Sequence, residues 1–261
     1  MKLGVQLFSL QKYLQTREDT RTVFLACKAM GYEALQYSGH PIATTDDAHF
    51  LKDTADEAGL PIVVAKFSYK QLTEETALVA EIMGILGAAS VMVGVTPSAF
   101  RQDLTLVKQF RKNMNAPTQH LLDKGFHIAY HNHAYEFAPL DGGTTMMDYY
   151  LENCTDWRFL LDICWAQHGG ADVAALMDRI GSGRLQHIHF KDMSGLDEKG
   201  LPIFCPCGSG IMDLAPLAAK CREMGVEDIL VEQDNASDLP DPLGEVEQSF
   251  KYLKTLFGKD R

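Results

Sequence analysis

The sequence predicts a single (β/α)₈ TIM barrel, an α/β fold forming one domain over residues 1–261, and three observations carry that expectation. The chain has 261 residues, close to the length of one such barrel and too short for two ordinary α/β domains. Short β-rich runs alternate with longer segments whose apolar residues recur every three or four positions. Eight such units in this length imply a closed parallel sheet with its helices outside.

The elements follow in order. Residues 3–7 form the first strand, and residues 20–30 carry helical periodicity until Gly31 stops them before a strand at 34–37. A helix over 46–58 leads to a strand over 62–67. A helix over 73–86, closed by Gly87, leads to a strand over 91–95, and one over 104–124, closed by Gly125, leads to 127–133. Helices over 145–153 and 172–179 precede strands over 159–163 and 185–190 in the same alternation. Residues 214–224, closed by Gly225, lead to the last strand at 229–232, and 243–257 forms the final helix. Glycine just past a helix adopts the left-handed backbone that ends it. An open doubly wound sheet would announce a glycine-rich phosphate loop after its first strand, and Phe8-Ser9-Leu10-Gln11 is nothing like one. No linker, low-complexity tract or charge block marks a second domain.

Apolar residues make up 46% of the chain, enough for a large core, which excludes intrinsic disorder. The net charge of −11 works against binding a polyphosphate backbone, so no nucleic-acid partner is expected. Met1 leads straight into the first strand without a basic, apolar and small-residue leader pattern. Apolar runs fall far short of the ~20 residues of a membrane-spanning helix, so no membrane partner is expected. Six cysteines are scattered at 27, 154, 164, 205, 207 and 221, which suggests reduced thiols and a cytoplasmic protein. Cys205-Pro206-Cys207 lacks a second pair at zinc spacing and reads as two loop cysteines.

A barrel builds its site at the carboxyl ends of its strands. Four consecutive strands deliver histidines and carboxylates there: Tyr130-His131-Asn132-His133 with Glu136 after it, Asp162 with Trp165 and His168, His187-Ile188-His189-Phe190-Lys191-Asp192, and Glu232-Gln233-Asp234. Alternation pairs His131 with His133 and His187 with His189 on one face. Each has a plainer reading: a strand-end histidine can be structural, Asp162 a helix N-cap, Glu232 half of an ion pair. Lys191-Asp192 can be a solvated turn, and Lys66 a surface lysine. Their coincidence on four neighbouring strands favours a site for one divalent metal, Mn²⁺, Co²⁺, Mg²⁺ or Zn²⁺.

In the order and spacing of these motifs, together with Leu3–Leu10 and Gly208-Ser209-Gly210, the chain resembles the xylose-isomerase-like TIM barrels, the sugar phosphate isomerase/epimerase superfamily, over essentially its whole length. It is similar to the subset carrying Tyr-His-Asn-His on strand five. The resemblance implies a metal held by Asp162, His189 and Glu232, with His131 standing where the family's epimerases have a strand-five glutamate. Those epimerases place one carboxylate on each face of an enediolate. Here Glu232 serves one face, and the opposing base is His131, His133 or Glu136. The resemblance also implies a homo-oligomer.

The expected activity is removal of a proton next to a carbonyl on a sugar, keto-sugar or inosose, giving isomerisation or epimerisation. A lyase, dehydratase or keto-glycoside-cleaving outcome is the alternative, and an endonuclease-IV-like repair enzyme or a sugar-binding non-enzyme is more remote. His133, Trp165, His168, His187, Lys191 and Lys66 are the residues expected around the substrate, with Trp165 and Phe8 as apolar walls. Gly208 and Gly210 offer either backbone N–H groups to an anion or a tight turn.

Overall fold

Helix starts are written into the chain as side-chain caps. Thr16 with Asp19, Thr44 with Asp47, Ser68 with Gln71 and Thr145 with Asp148 each form a reciprocal capping box. Gly31, Gly87, Gly125 and Gly225 all take the positive φ expected of them, so each helix turns sharply back toward its next strand. Residues 1–258 are described in a computed structural model of the protein; positions 259–261 of the expected domain lie outside the described residues.

The strands are β1 (Lys2–Gln6), β2 (Ala34–Tyr37), β3 (Ile62–Phe67), β4 (Ser90–Val93), β5 (His127–His131), β6 (Arg158–Asp162), β7 (Leu185–Phe190), β8 (Asp192–Leu196), β9 (Pro202–Cys205) and β10 (Asp228–Val231). All but β8 and β9 form a closed barrel of parallel strands in the order β1-β10-β7-β6-β5-β4-β3-β2. The helices are α1 (Arg17–Met30), α2 (Thr45–Ala58), α3 (Tyr69–Glu74), α4 (Thr76–Leu86), α5 (Leu104–Asp123), α6 (Met146–Asn153), α7 (Ile163–His168), α8 (Val173–Ile180), α9 (Leu214–Met224) and α10 (Pro242–Phe257). The main core lies between the barrel and these helices. No helix among the described residues is long and apolar enough to cross a membrane.

The barrel interior explains where polar residues can go. Val64, Met92, Ala129, Leu160 and Leu230 form a separate apolar plug. Two residues further along their strands stand Lys66, Gly94, His131, Asp162 and Glu232, on the carboxyl side. Below the plug lie Ser90, His187 and Asp228, hydrogen-bonded or ion-paired to one another. Gly4 fits only as glycine, because a Cβ there would lie 2.7 Å from Leu230 and 2.8 Å from the Ala34 carbonyl oxygen.

Four local features depart from the expected pattern. A 3₁₀ helix over Leu7–Tyr13 follows β1. The expected helix over 73–86 is two helices, because Glu75 leaves helical backbone geometry at φ −130°. The short α7 directly follows β6. The β8–β9 hairpin extends from the end of β7. Among the described residues all six cysteines are free thiols.

Candidate active site

Four strand ends converge on one point. His131, Asp162, His189 and Glu232 are all buried, and one donor atom from each lies within 4.8 Å of the others. Asp162 and His189 are register partners across β6 and β7. Asp162 combines both readings open to it: Oδ1 accepts the Trp165 N–H at 2.8 Å as the N-cap of α7, while Oδ2 faces the cluster. His189 Nε2 meets Gln36 Oε1 at 2.7 Å, which turns Nδ1 toward Glu232 Oε2 at 2.7 Å and Asp162 Oδ2 at 3.6 Å. His131 Nε2 lies 3.5 Å from Asp162 Oδ2.

These residues fit a divalent cation. Both His131 ring nitrogens, Asp162 Oδ2, His189 Nδ1 and Glu232 Oε2 are buried without a directed hydrogen bond, and the two carboxylate oxygens are compensated ionically by Lys191 and His189. Convergent, dehydrated donors of this kind are costly unless a cation satisfies them. Two imidazoles with two carboxylates suit Zn²⁺, Mn²⁺ or Co²⁺ and admit Mg²⁺. The Gln36 contact to His189 fixes the imidazole's orientation, as an outer hydrogen bond would for a metal-binding histidine.

A lysine sits against the same group. Lys191 is buried, with Nζ 2.9 Å from Asp162, 2.8 Å from Glu232 and 2.7 Å from Asp234. Burial works against its charge, but the three carboxylates outweigh burial and hold its pKa well above the usual lysine value. Burial likewise opposes the charges of Asp162 and Glu232, yet Lys191 and the histidines hold both carboxyls below their ordinary range. Lys191 is therefore no part of a solvated turn.

A cavity of about 450 Å³ opens from the cluster, lined by Phe8, Lys66, His131, His133, Trp165, Lys191, Glu232 and Asp234 among others. His133 stacks on Tyr135 at 5.4 Å between ring centroids, with Trp165 5.9 Å away. Burial, His131 and Lys191 push its pKa down to about 3, so it is a neutral imidazole. Lys66 is half-buried, lies 5.7 Å above the Phe8 ring and makes no ion pair among the described residues. His168 packs edge-on to Trp165 at 5.8 Å and is not among the cavity's lining residues.

Two expected site residues face elsewhere. His187 lies below the plug, with Nε2 2.8 Å from Ser90 Oγ and Nδ1 3.0 Å from Asp228. Serine, histidine and aspartate are linked there as in a hydrolase triad, but none of them lines the cavity at the barrel mouth. Glu136 turns away because β5 ends at His131 and a 3₁₀ turn over Tyr135–Phe137 follows. Its oxygens accept from the Tyr130 hydroxyl at 2.7 Å and the His133 N–H at 2.8 Å. Neither is among the residues lining the cavity.

Sequence reasoning missed several partners. Asn132 accepts the Asp162 N–H at 2.9 Å and donates to the Asp162 carbonyl oxygen at 3.1 Å, clamping β5 to β6. Asp234 accepts from Lys191 and, at 3.1 Å, from the Trp165 indole. Phe204 brings the β8–β9 hairpin edge-on to Trp165 at 5.4 Å. Asp192 is buried and accepts the N–H groups of Met193, Gly208, Gly210 and Met212. Asn132 and Asp234 lay inside quoted motifs, whereas Gln36 on β2 carried no local signal.

A closed parallel barrel with a buried His/Asp/His/Glu cluster at its carboxyl mouth has the TIM barrel architecture. The chain belongs to the xylose isomerase-like TIM barrel family, whose sequence pattern matches residues 24–256. No curated protein matches it in sequence. Among solved structures it is similar to a sugar phosphate isomerase/epimerase from Parabacteroides distasonis, at 21% identity and TM-score 0.79, over 97% of this chain and 93% of that one. It is also similar to 3-keto-D-glucoside 4-epimerase from E. coli, at 17% identity and TM-score 0.68, over 98% and 99% of the two chains. A probable 3-DHS dehydratase from Bacillus anthracis matches at 11% identity and TM-score 0.71, over 97% and 99%. Likeness at these identities establishes the fold.

Proposed function

We propose that the protein is a divalent-metal-dependent enzyme of the isomerase/epimerase type that removes a proton next to the carbonyl of a sugar, keto-sugar or inosose. The observation that carries this reading is the buried cluster of His131, Asp162, His189 and Glu232 beside a cavity of sugar size. A bound metal would supply Lewis-acid polarisation of the substrate carbonyl and neighbouring hydroxyl.

The chain's own residues do the rest. Phe8 and Trp165 offer apolar faces to C–H groups of the ring, and Lys66 reaches the rim as a hydrogen-bond donor. Glu232 lines the cavity and, in this reading, takes the proton from carbon. With His131 in the ligand cluster and Glu136 turned away, His133 is the group left to serve the other face. In this reading its Nδ1, which has no hydrogen-bond partner among the described residues, takes the proton transiently and returns it.

Elimination of a β-substituent uses the same first step. It is favoured by one observation: the strand-five position carries histidine where a symmetric epimerase has its second carboxylate, and the other carboxylate lining the cavity, Asp234, is ion-paired to Lys191. A repair endonuclease is not supported, because the described residues hold one ligand group of four in a chain of charge −11.

The test is elemental analysis of untagged protein with Asp162→Ala and Glu232→Ala, followed by proton exchange into keto-sugars and inososes in deuterated solvent. Near-stoichiometric metal that falls in both variants, with exchange at the carbon next to the carbonyl, is expected. Wild-type protein that takes up no metal after reconstitution, or turns over substrate without exchange, would overturn the proposal.

A further inference from the structure

The ammonium of Lys191 contacts the same two oxygens that the ligand cluster uses. Asp162 Oδ2 and Glu232 Oε2 lie 2.9 and 2.8 Å from Nζ, and they also face His131 and His189. The third partner, Asp234, stands outside the four-ligand group. The ammonium lies over the rings of Trp165 and Phe204, at 5.7 and 5.5 Å. A carboxylate oxygen cannot serve two cations at full strength, and two cations a few ångströms apart repel in a buried site. Lysine and metal therefore compete for Asp162 and Glu232, while Asp234 gives the lysine a place to remain.

We propose that Lys191 is a positioning residue that acts as a resident counter-cation of the metal site. In the metal-free chain it draws the carboxylates of Asp162 and Glu232 together. When an ion binds, its contacts shift toward Asp234, and its charge lowers the affinity of the site so that the ion exchanges. This inference rests on the metal-site reading given above. It differs from a simple orienting role, in which losing the lysine would disorder the ligands and weaken metal binding.

The experiment compares chelator-stripped wild type, Lys191→Met and Lys191→Arg by competition of Mn²⁺ and Zn²⁺ against a chromophoric chelator. Lys191→Met is expected to bind each ion at least tenfold more tightly, and Lys191→Arg, which keeps the charge, within a few-fold of wild type. Thermal unfolding adds a readout independent of activity: stripped Lys191→Met melts below stripped wild type, and saturating metal closes the gap. The double variant Lys191→Met with Asp234→Asn keeps the wild-type net charge, relieves one unpaired carboxylate and is also expected to bind more tightly than wild type. Wild type that takes up metal while both methionine variants bind it no more tightly overturns this inference alone. Folded proteins that all refuse metal overturn the metal-site reading and this inference with it.

Discussion

Glu136 is a buried carboxylate that the cavity does not use, and its cost to the fold can be measured. Burial raises its pKa to about 7 from an ordinary 4.5, against the opposing hydrogen bonds from Tyr130 and the His133 N–H. The folded-state value therefore lies above the unfolded one. Between those two values the folded chain holds a proton that the unfolded chain has lost, so stability falls as pH rises through the window and the loss is complete above about pH 7. A shift of this size corresponds to about 3 kcal/mol at ~1.4 kcal/mol per unit. Glu136→Gln keeps an acceptor oxygen and removes the titration. Its amide also places a donor against the Tyr130 hydroxyl or the His133 N–H, an offset that does not vary with pH. The measurement is urea unfolding of both proteins at pH 5 and pH 8 with chelator present. The variant should gain about 2–3 kcal/mol relative to wild type between the two pH values. Parallel profiles would refute the reasoning, because they would mean the carboxyl is already ionised at pH 5 in the fold.

Three further outcomes follow from single contacts. Asn132→Ala removes both arms of the clamp on Asp162 and should cost about 2–3 kcal/mol in chemical denaturation, with weaker metal retention measured alongside. His187→Ala should destabilise by a similar ~2–4 kcal/mol through the groups left at Ser90 and Asp228, yet leave metal stoichiometry unchanged; a lost metal would place His187 in the site after all. Gly210→Ala puts a Cβ 2.2 Å from Asp192 Oδ1 and 2.4 Å from the Met193 carbonyl oxygen, so it should lower the melting temperature and loosen the hairpin to proteolysis.

Much of the site was legible because strand alternation is local. The residue two places beyond each plug residue on β5, β6 and β10 belongs to the buried His/Asp/His/Glu cluster, and that spacing is readable without coordinates. The same rule misplaced His187, since a strand of six residues crosses more than one interior layer and only its upper half belongs to the mouth. Glu136 was misplaced for a different reason: proximity in sequence says nothing about direction once the strand has ended and the chain has entered a 3₁₀ turn. Lys191 was readable as a strand-end lysine, but its burial depends on three carboxylates brought from β6 and the segment after β10. Gln36, more than 150 positions from His189, is purely a product of barrel closure.

The loop at Gly208-Ser209-Gly210 shows how a motif can be right in chemistry and wrong in occupant. Its backbone N–H groups do bind an anion, but the anion is the chain's own Asp192, at 2.9 and 3.0 Å. Two further N–H groups, from Met193 and Met212, complete the carboxylate's shell. A substrate phosphate arriving there would have to displace a buried carboxylate from four donors, which a surface turn never requires of its ligand. The loop thus anchors the β8–β9 hairpin, and the hairpin holds Phe204 against Trp165 at the cavity wall. Of the two lysines lining that cavity, Lys191 is committed to three carboxylates, and Lys66 makes no ion pair among the described residues.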